Sequence, residues 1–258
     1  MRRTLLTLLF TLALATDAIA AQGVNLRWNA CLGDGGTLNR DFACNTNTGS
    51  EVLAVSFVLD SSFASVTGIR FELDFSTPSG LPGAWWQFKN TDACRRTALV
   101  AAFAPPAGSA TCVDPWLGLA SGNISGYAIS GSLDRMRLTC IGAVSVSQAL
   151  TLEPGIEYGA LRLTVSHANT VGAGSCAGCS TPACMGIRQV RINRPVGMGD
   201  PILATECEPR SSVASWQGSP VVSDYVNGGD RTDFRAIACQ STSRSRNRTW
   251  GTLKSLYR

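Results

Sequence analysis

Alternation of apolar and polar residues is the dominant signal along this chain, with the period of two expected of strands that bury one face. It is clearest at 66–75, where Ile69, Phe71, Leu73 and Phe75 alternate with Arg70, Glu72 and Asp74. Leu53, Val55, Phe57 and Leu59 repeat the period upstream. Met136, Leu138 and Cys140 stand opposite Arg135, Arg137 and Thr139, and Leu161, Leu163 and Val165 opposite Arg162, Thr164 and Ser166. Shorter candidate strands are Val24–Trp28, Trp85–Phe88, Ala98–Phe103, Ile124–Ile129, Ile187–Ile192 and Val213–Trp216. Breakers lie between them: Pro78-Ser79-Gly80, Pro82-Gly83, Pro105-Pro106-Ala107-Gly108 and Glu153-Pro154-Gly155. Pro154-Gly155 suits the centre of a type II turn, because proline fixes the first central φ and glycine accepts the positive second one. Helical periodicity never exceeds about two turns after the first twenty residues. The chain therefore reads as all-β, an antiparallel β-sandwich.

The first twenty residues follow a different rule. Arg2 and Arg3 precede an apolar run from Leu5 to Ala15, and Ala18-Ile19-Ala20 has the small-x-small form of a cleavage site. Eleven apolar residues cannot span a bilayer core that needs about 20, so 1–20 is expected to be a signal peptide and the mature chain secreted or periplasmic. The sandwich domain is expected to run from 21 to 195. An irregular Cys-containing extension follows at 196–239, then a basic tail at 240–258 that ends in a short amphipathic element.

Ten cysteines in an exported chain read as disulfides, since an oxidising compartment lets thiols pair and stay paired. All ten (Cys31, Cys44, Cys94, Cys112, Cys140, Cys176, Cys179, Cys184, Cys207 and Cys239) are expected to be oxidised. The shortest loops favour Cys31 with Cys44 and Cys94 with Cys112, and Cys207 with Cys239 would staple the extension. Cys176-x-x-Cys179-x4-Cys184 offers three thiols to zinc but lacks a fourth ligand. No metal or cofactor is expected.

Charge and residue inventory narrow the function classes. The 258 residues carry a net +4, too little over this length to mark a nucleic-acid binder. That charge is partitioned: residues 18–239 hold 15 basic and 17 acidic side chains, while 240–258 holds five basic and no acidic ones. One histidine and two lysines, Lys89 and Lys254, leave little for acid–base or Schiff-base chemistry. His167, the sole imidazole, follows a strand, where a capping or surface-edge role fits as well as that of a base. No G-x-S-x-G is present. Glu72 with Asp74, or Glu153 with Glu157, would be the carboxylate pair of a glycoside hydrolase, but carboxylates alternating with arginine on a strand read as a solvated face. Asp34 and Asn227–Asp233 read as polar turns, without the ligand spacing of a calcium loop. Trp86, Trp116 and Tyr127 are the candidates for a flat aromatic platform that binds carbohydrate. Adjacent strand residues point to opposite faces, so one of Trp85 and Trp86 is expected to be exposed.

The segment VTGIRFELDFS, the Trp85-Trp86-Gln87-Phe88 cluster and LTLEPGIEYGALRLTVSHANT resemble the jelly-roll sandwich of cohesins and carbohydrate-binding modules, over residues 50–195. An inner strand V-x-G-x-x-F-x-L-x-[FY] is common there. The Cys-rich layout and the ending T-W-G-x-[IL]-K-x-L-[YF]-R are similar to those of uncharacterised secreted Cys-rich bacterial proteins, which implies export and supplies no activity. Together these features predict a secreted structural or interaction protein and no enzyme, with a polysaccharide or an extracellular protein as partner. The alternatives are a carbohydrate-binding module using exposed Trp and Tyr, and a glycoside hydrolase.

Overall fold

The computed structural model describes residues 23–129, 135–203 and 212–219. The expected signal peptide, Cys207, Cys239, the Asn227–Asp233 run and the basic tail lie outside the described residues. Thirteen strands account for nearly all the regular structure: β1 (Gly23–Trp28), β2 (Asn39–Arg40), β3 (Ser50–Val58), β4 (Phe63–Val66), β5 (Gly68–Ser76), β6 (Leu99–Ala102), β7 (Ser121–Ile129), β8 (Met136–Ala143), β9 (Leu150–Leu152), β10 (Glu157–Ser166), β11 (Ala183–Asn193), β12 (Ile202–Leu203) and β13 (Val213–Trp216). The all-β expectation holds. Two sheets face one another, a four-stranded one in the order β1-β3-β10-β6 and a seven-stranded one in the order β2-β13-β11-β5-β8-β7, with β12 added to β11. Every pairing is antiparallel except that of β13 with β2.

The alternating residues meet as the periodicity requires. Leu53, Val55 and Phe57 of β3 and Leu161, Leu163 and Val165 of β10 point inward from one sheet, while Ile69, Phe71, Leu73 and Phe75 of β5 and Met136, Leu138 and Cys140 of β8 point inward from the other, in a single apolar cluster. Phe103, just past β6, closes the side of the core where β6 and β7 approach. Its ring lies where a Cβ on Gly142 would stand, so only glycine fits there. β13 pairs with β11, so the segment 196–239, expected as an extension, contributes a strand to the sheet. Trp85 and Trp86 depart from the strand expectation. Pro82-Gly83 leads into a single 3-10 turn at Ala84–Trp86, where successive side chains fan out by about 120° instead of alternating across a pleat, and both indoles turn into the core.

The disulfides also differ from expectation. Among the described residues the bonds are Cys31–Cys112, Cys44–Cys179 and Cys94–Cys176, with Cα–Cα distances of 6.1, 5.9 and 6.0 Å. Nearest-neighbour pairing fails because the strands carry sequence-adjacent cysteines apart. Cys31 and Cys112 sit in two loops folded over the outer side of the four-stranded sheet. Beneath them Glu157 accepts from the backbone N–H of Leu32 and Gly33 at 3.0 and 2.8 Å and from the Ser56 hydroxyl. Gly159 is required on β10 because Cys112 and Pro105 occupy the space of its Cβ. Cys140 is a buried free thiol in β8, contrary to the expectation that every cysteine is oxidised. Cys184 in β11 is buried and outside the three bonds.

Candidate functional site

His167, Glu72, Asp74 and Glu157, singled out for catalysis, are each engaged by a structural partner. His167 lies buried directly after β10, stacked on Phe42 with ring centroids 3.8 Å apart. Its Nδ1 is 2.7 Å from the Thr48 carbonyl and must carry the hydrogen, because a carbonyl only accepts. Its Nε2 is 3.1 Å from Glu51 Oε1, and Arg40 grips the same carboxylate from the other side. Through these contacts the histidine ties β2 and β3 to the end of β10.

The carboxylate pairs are equally committed. Glu72 and Asp74 point outward from β5 as expected, yet they are only 9% and 1% exposed, which corrects the expectation of a solvated face. Arg137 holds Asp74 through two hydrogen bonds of 2.8 and 3.1 Å, with Arg135 at 3.8 Å. Hydrogen bonding to Asp74 in turn pushes the Arg137 guanidinium above its ordinary pKa. Glu72 receives Arg70 at 2.7 Å and Arg188 at 3.5 Å. Glu157 is buried under the Cys31–Cys112 loops, whereas Glu153 is exposed, so the two form no facing pair.

The aromatic platform is absent from the described surface. Trp86 and Trp116 are fully buried and Tyr127 is 4% exposed. Trp85 meets Trp86 edge-on at 4.9 Å, Trp86 meets Trp216 at 5.5 Å, and the Tyr127 hydroxyl donates to the Trp86 carbonyl at 2.5 Å. Burial pushes the Tyr127 phenol well above its ordinary pKa. Tyr127 faces inward because the pairing of β7 with β8 shifts between Ile124 and Gly126, and a bulge reverses which residues point into the core.

Two ligand-like clusters are structural as well. Cys31, Asp34 and Cys112 bring three donor atoms within 4.8 Å of one another, but the two sulfurs are bonded to each other and offer no thiolate. Desolvation works to raise the Asp34 carboxyl. Hydrogen bonds from Thr111 N, Thr111 Oγ1 and Ala110 N overcome it and hold the group below the usual carboxylate range. Cys176 and Cys179 belong to different disulfides, so they form neither a zinc site nor a redox pair.

The outer face of the seven-stranded sheet carries exposed groups that are not engaged in this way. Register places Ile202, Arg191, Arg70, Ile141 and Asn123 in one row across β12, β11, β5, β8 and β7. Four interstrand steps make that row about 19 Å long. Ile141, Ile202 and Asn123 are exposed, and the Arg70 side chain is 44% exposed. Gln189, Glu72 and Thr139 form the next row. Arg70 and Arg191 are direct cross-strand partners, a position where like charges destabilise, and Arg191 Nε is buried without a hydrogen-bond partner. Alternation places each of these residues outward, but only the strand pairing brings the two arginines together, and no local sequence signal carries that information. No protein-family model, no curated protein and no solved structure matches the chain, so its function is argued from these residues alone.

Proposed function

We propose that the protein is a disulfide-braced interaction module of an extracellular or periplasmic space, which binds through the outer face of its seven-stranded sheet and catalyses no reaction. The observation that carries this reading is the row Ile202–Arg191–Arg70–Ile141–Asn123: apolar and cationic groups lie side by side and partly exposed on the sheet face, with one guanidinium nitrogen unpaired. Elsewhere His167, Glu72, Asp74 and Glu157 are consumed by ion pairs, carbonyls and loop amides. Three disulfides are compatible with an oxidising compartment. Among the described residues no helix is long and apolar enough to cross a membrane. The likeness of the strand pattern to jelly-roll, cohesin-like sandwiches agrees with a binding role. Trp86, Trp116 and Tyr127 have no part in it, since a buried ring cannot stack on a ligand.

The test is retention of the exported protein on the surface or matrix of the cells that make it. Ile141→Asp should release it into the medium without changing its melting temperature, whereas Arg162→Gln on the opposite sheet should leave retention intact. Equal retention of all three proteins refutes the reading. A second reading is favoured by β7, a nine-residue edge strand without charge or proline whose only strand partner among the described residues is β8. Such an edge offers a partner strand open backbone groups. Loss of retention with Ser125→Lys but not with Ile141→Asp would select it.

A further inference from the structure

We propose that Arg70 and Arg191 form an oxyanion site whose ligand is an acidic polysaccharide, with a carboxylate or sulfate group held between the two guanidinium groups. This rests on the binding-face reading and narrows its ligand. The two arginines are paired residue for residue across β5 and β11, and directly opposed residues on one face of an antiparallel pair have Cβ atoms about 5 Å apart. Ile69 and Phe71 flank Arg70, Val190 and Ile192 flank Arg191, and all four are fully buried, so both guanidinium groups leave the same face.

Local carboxylates do not balance them. Glu72 is shared by Arg70 and Arg188, and Asp74 by Arg137 and Arg135. Among the described residues Arg191 has no carboxylate partner of its own. Arg191 Nε is buried without a hydrogen-bond partner, whereas the buried Arg95 guanidinium donates to three carbonyls. An oxyanion between the exposed ends of the pair would turn like-charge repulsion into two charge-assisted contacts.

The surroundings favour a sugar polymer over an acidic peptide. Gln189, Thr139 and Asn123, neutral hydrogen-bonding groups suited to hydroxyls, neighbour the pair in the same two rows. Ile202 and Ile141 bracket the arginines with exposed apolar patches on which the C–H faces of sugar rings can lie. A sheet face, unlike an edge, presents no open backbone groups, so a peptide lying there would forgo main-chain hydrogen bonds.

The experiment is calorimetric titration of the oxidised mature protein with polygalacturonate, dextran sulfate, neutral dextran and polyglutamate at low salt. At least one acidic polysaccharide should bind, salt should weaken it, and neutral dextran should not bind. The two acidic polymers separate a carboxylate ligand from a sulfate ligand. Arg191→Gln and Arg70→Gln should each weaken binding about tenfold or more, the scale expected of one lost charge-assisted contact, while Arg162→Gln should not. Polyglutamate binding as tightly would overturn the polysaccharide assignment. No binding to any acidic polymer, or equal weakening by Arg162→Gln, would overturn the site itself. Failure here with Ile141→Asp still releasing the exported protein would leave the binding face standing and remove only its oxyanion ligand.

Discussion

Replacing Arg95 with methionine should destabilise the fold although the substitution removes a buried charge. Arg95 is 2% exposed. It donates to the carbonyls of Trp85 at 2.7 Å, Ala168 at 2.9 Å and Ser166, and its guanidinium lies 3.6 Å above the Trp85 ring. Burial pulls its pKa down to about 9, which leaves it a cation at pH 7. Methionine fills similar space and relieves several kcal/mol of desolvation. It also strands the buried Trp85 carbonyl and the part-buried carbonyls of Ser166 and Ala168, at up to about 1–3 kcal/mol each, and deletes a cation–π contact worth about 1–2 kcal/mol. The balance is a net loss of about 2–4 kcal/mol, a fall in melting temperature of about 4–16 °C for a domain of this size. Calorimetry under non-reducing conditions measures it, with Arg96→Met as the exposed control expected to change stability by less than about 0.5 kcal/mol. An unchanged or raised melting temperature would show that Arg95 does not clamp the 84–96 loop to the end of β10.

Three further outcomes follow from the packing. Leu163→Ala should cost about 2–5 kcal/mol in urea unfolding through the cavity it leaves, and Arg162→Ala less than about 1 kcal/mol; equal costs would refute the inward register of β10. Burial pushes the Cys140 thiol up to about 12, so peptide mapping after iodoacetamide at pH 8 should find Cys140 unmodified until the protein unfolds. The unfolded thiol loses its proton near pH 8.5–9 and the folded one only near 12, so this group should lower stability as pH rises through that window, by up to about 1.4 kcal/mol per pH unit. Non-reducing mass spectrometry should recover the Cys31–Cys112, Cys44–Cys179 and Cys94–Cys176 linkages, and a Cys31–Cys44 peptide would contradict the loop arrangement over Glu157.

Period-two alternation made β3, β5, β8 and β10 readable in advance, because a strand's inward and outward faces are written in consecutive residues. The same rule misread the Trp85–Trp86 pair, since one 3-10 turn changes the angle between neighbours, and Tyr127, expected on an exposed platform, turns inward where one bulged residue inverts the phase. Disulfide partners were misread for a different reason. Loop closure favours short loops only when the chain is free to close them, and here the strands hold Cys44 and Cys94 away from their sequence neighbours. Glu72 and Asp74 looked solvated because their arginines come partly from β8 and β11, more than 60 residues away. The Arg70–Arg191 contact was invisible for the same cause: each residue could be assigned to a face, but the register of β5 against β11 is a property of the whole sheet.

Photo-crosslinking in the cells that export the protein tests the binding face most directly. A photoreactive residue at Ile141, on the outer face of the seven-stranded sheet, should capture a ligand that the same residue at Arg162, on the outer face of the four-stranded sheet, does not, and Arg191→Gln should reduce that capture. Capture at Arg162 with none at Ile141 would place the working surface on the other sheet and contradict the account.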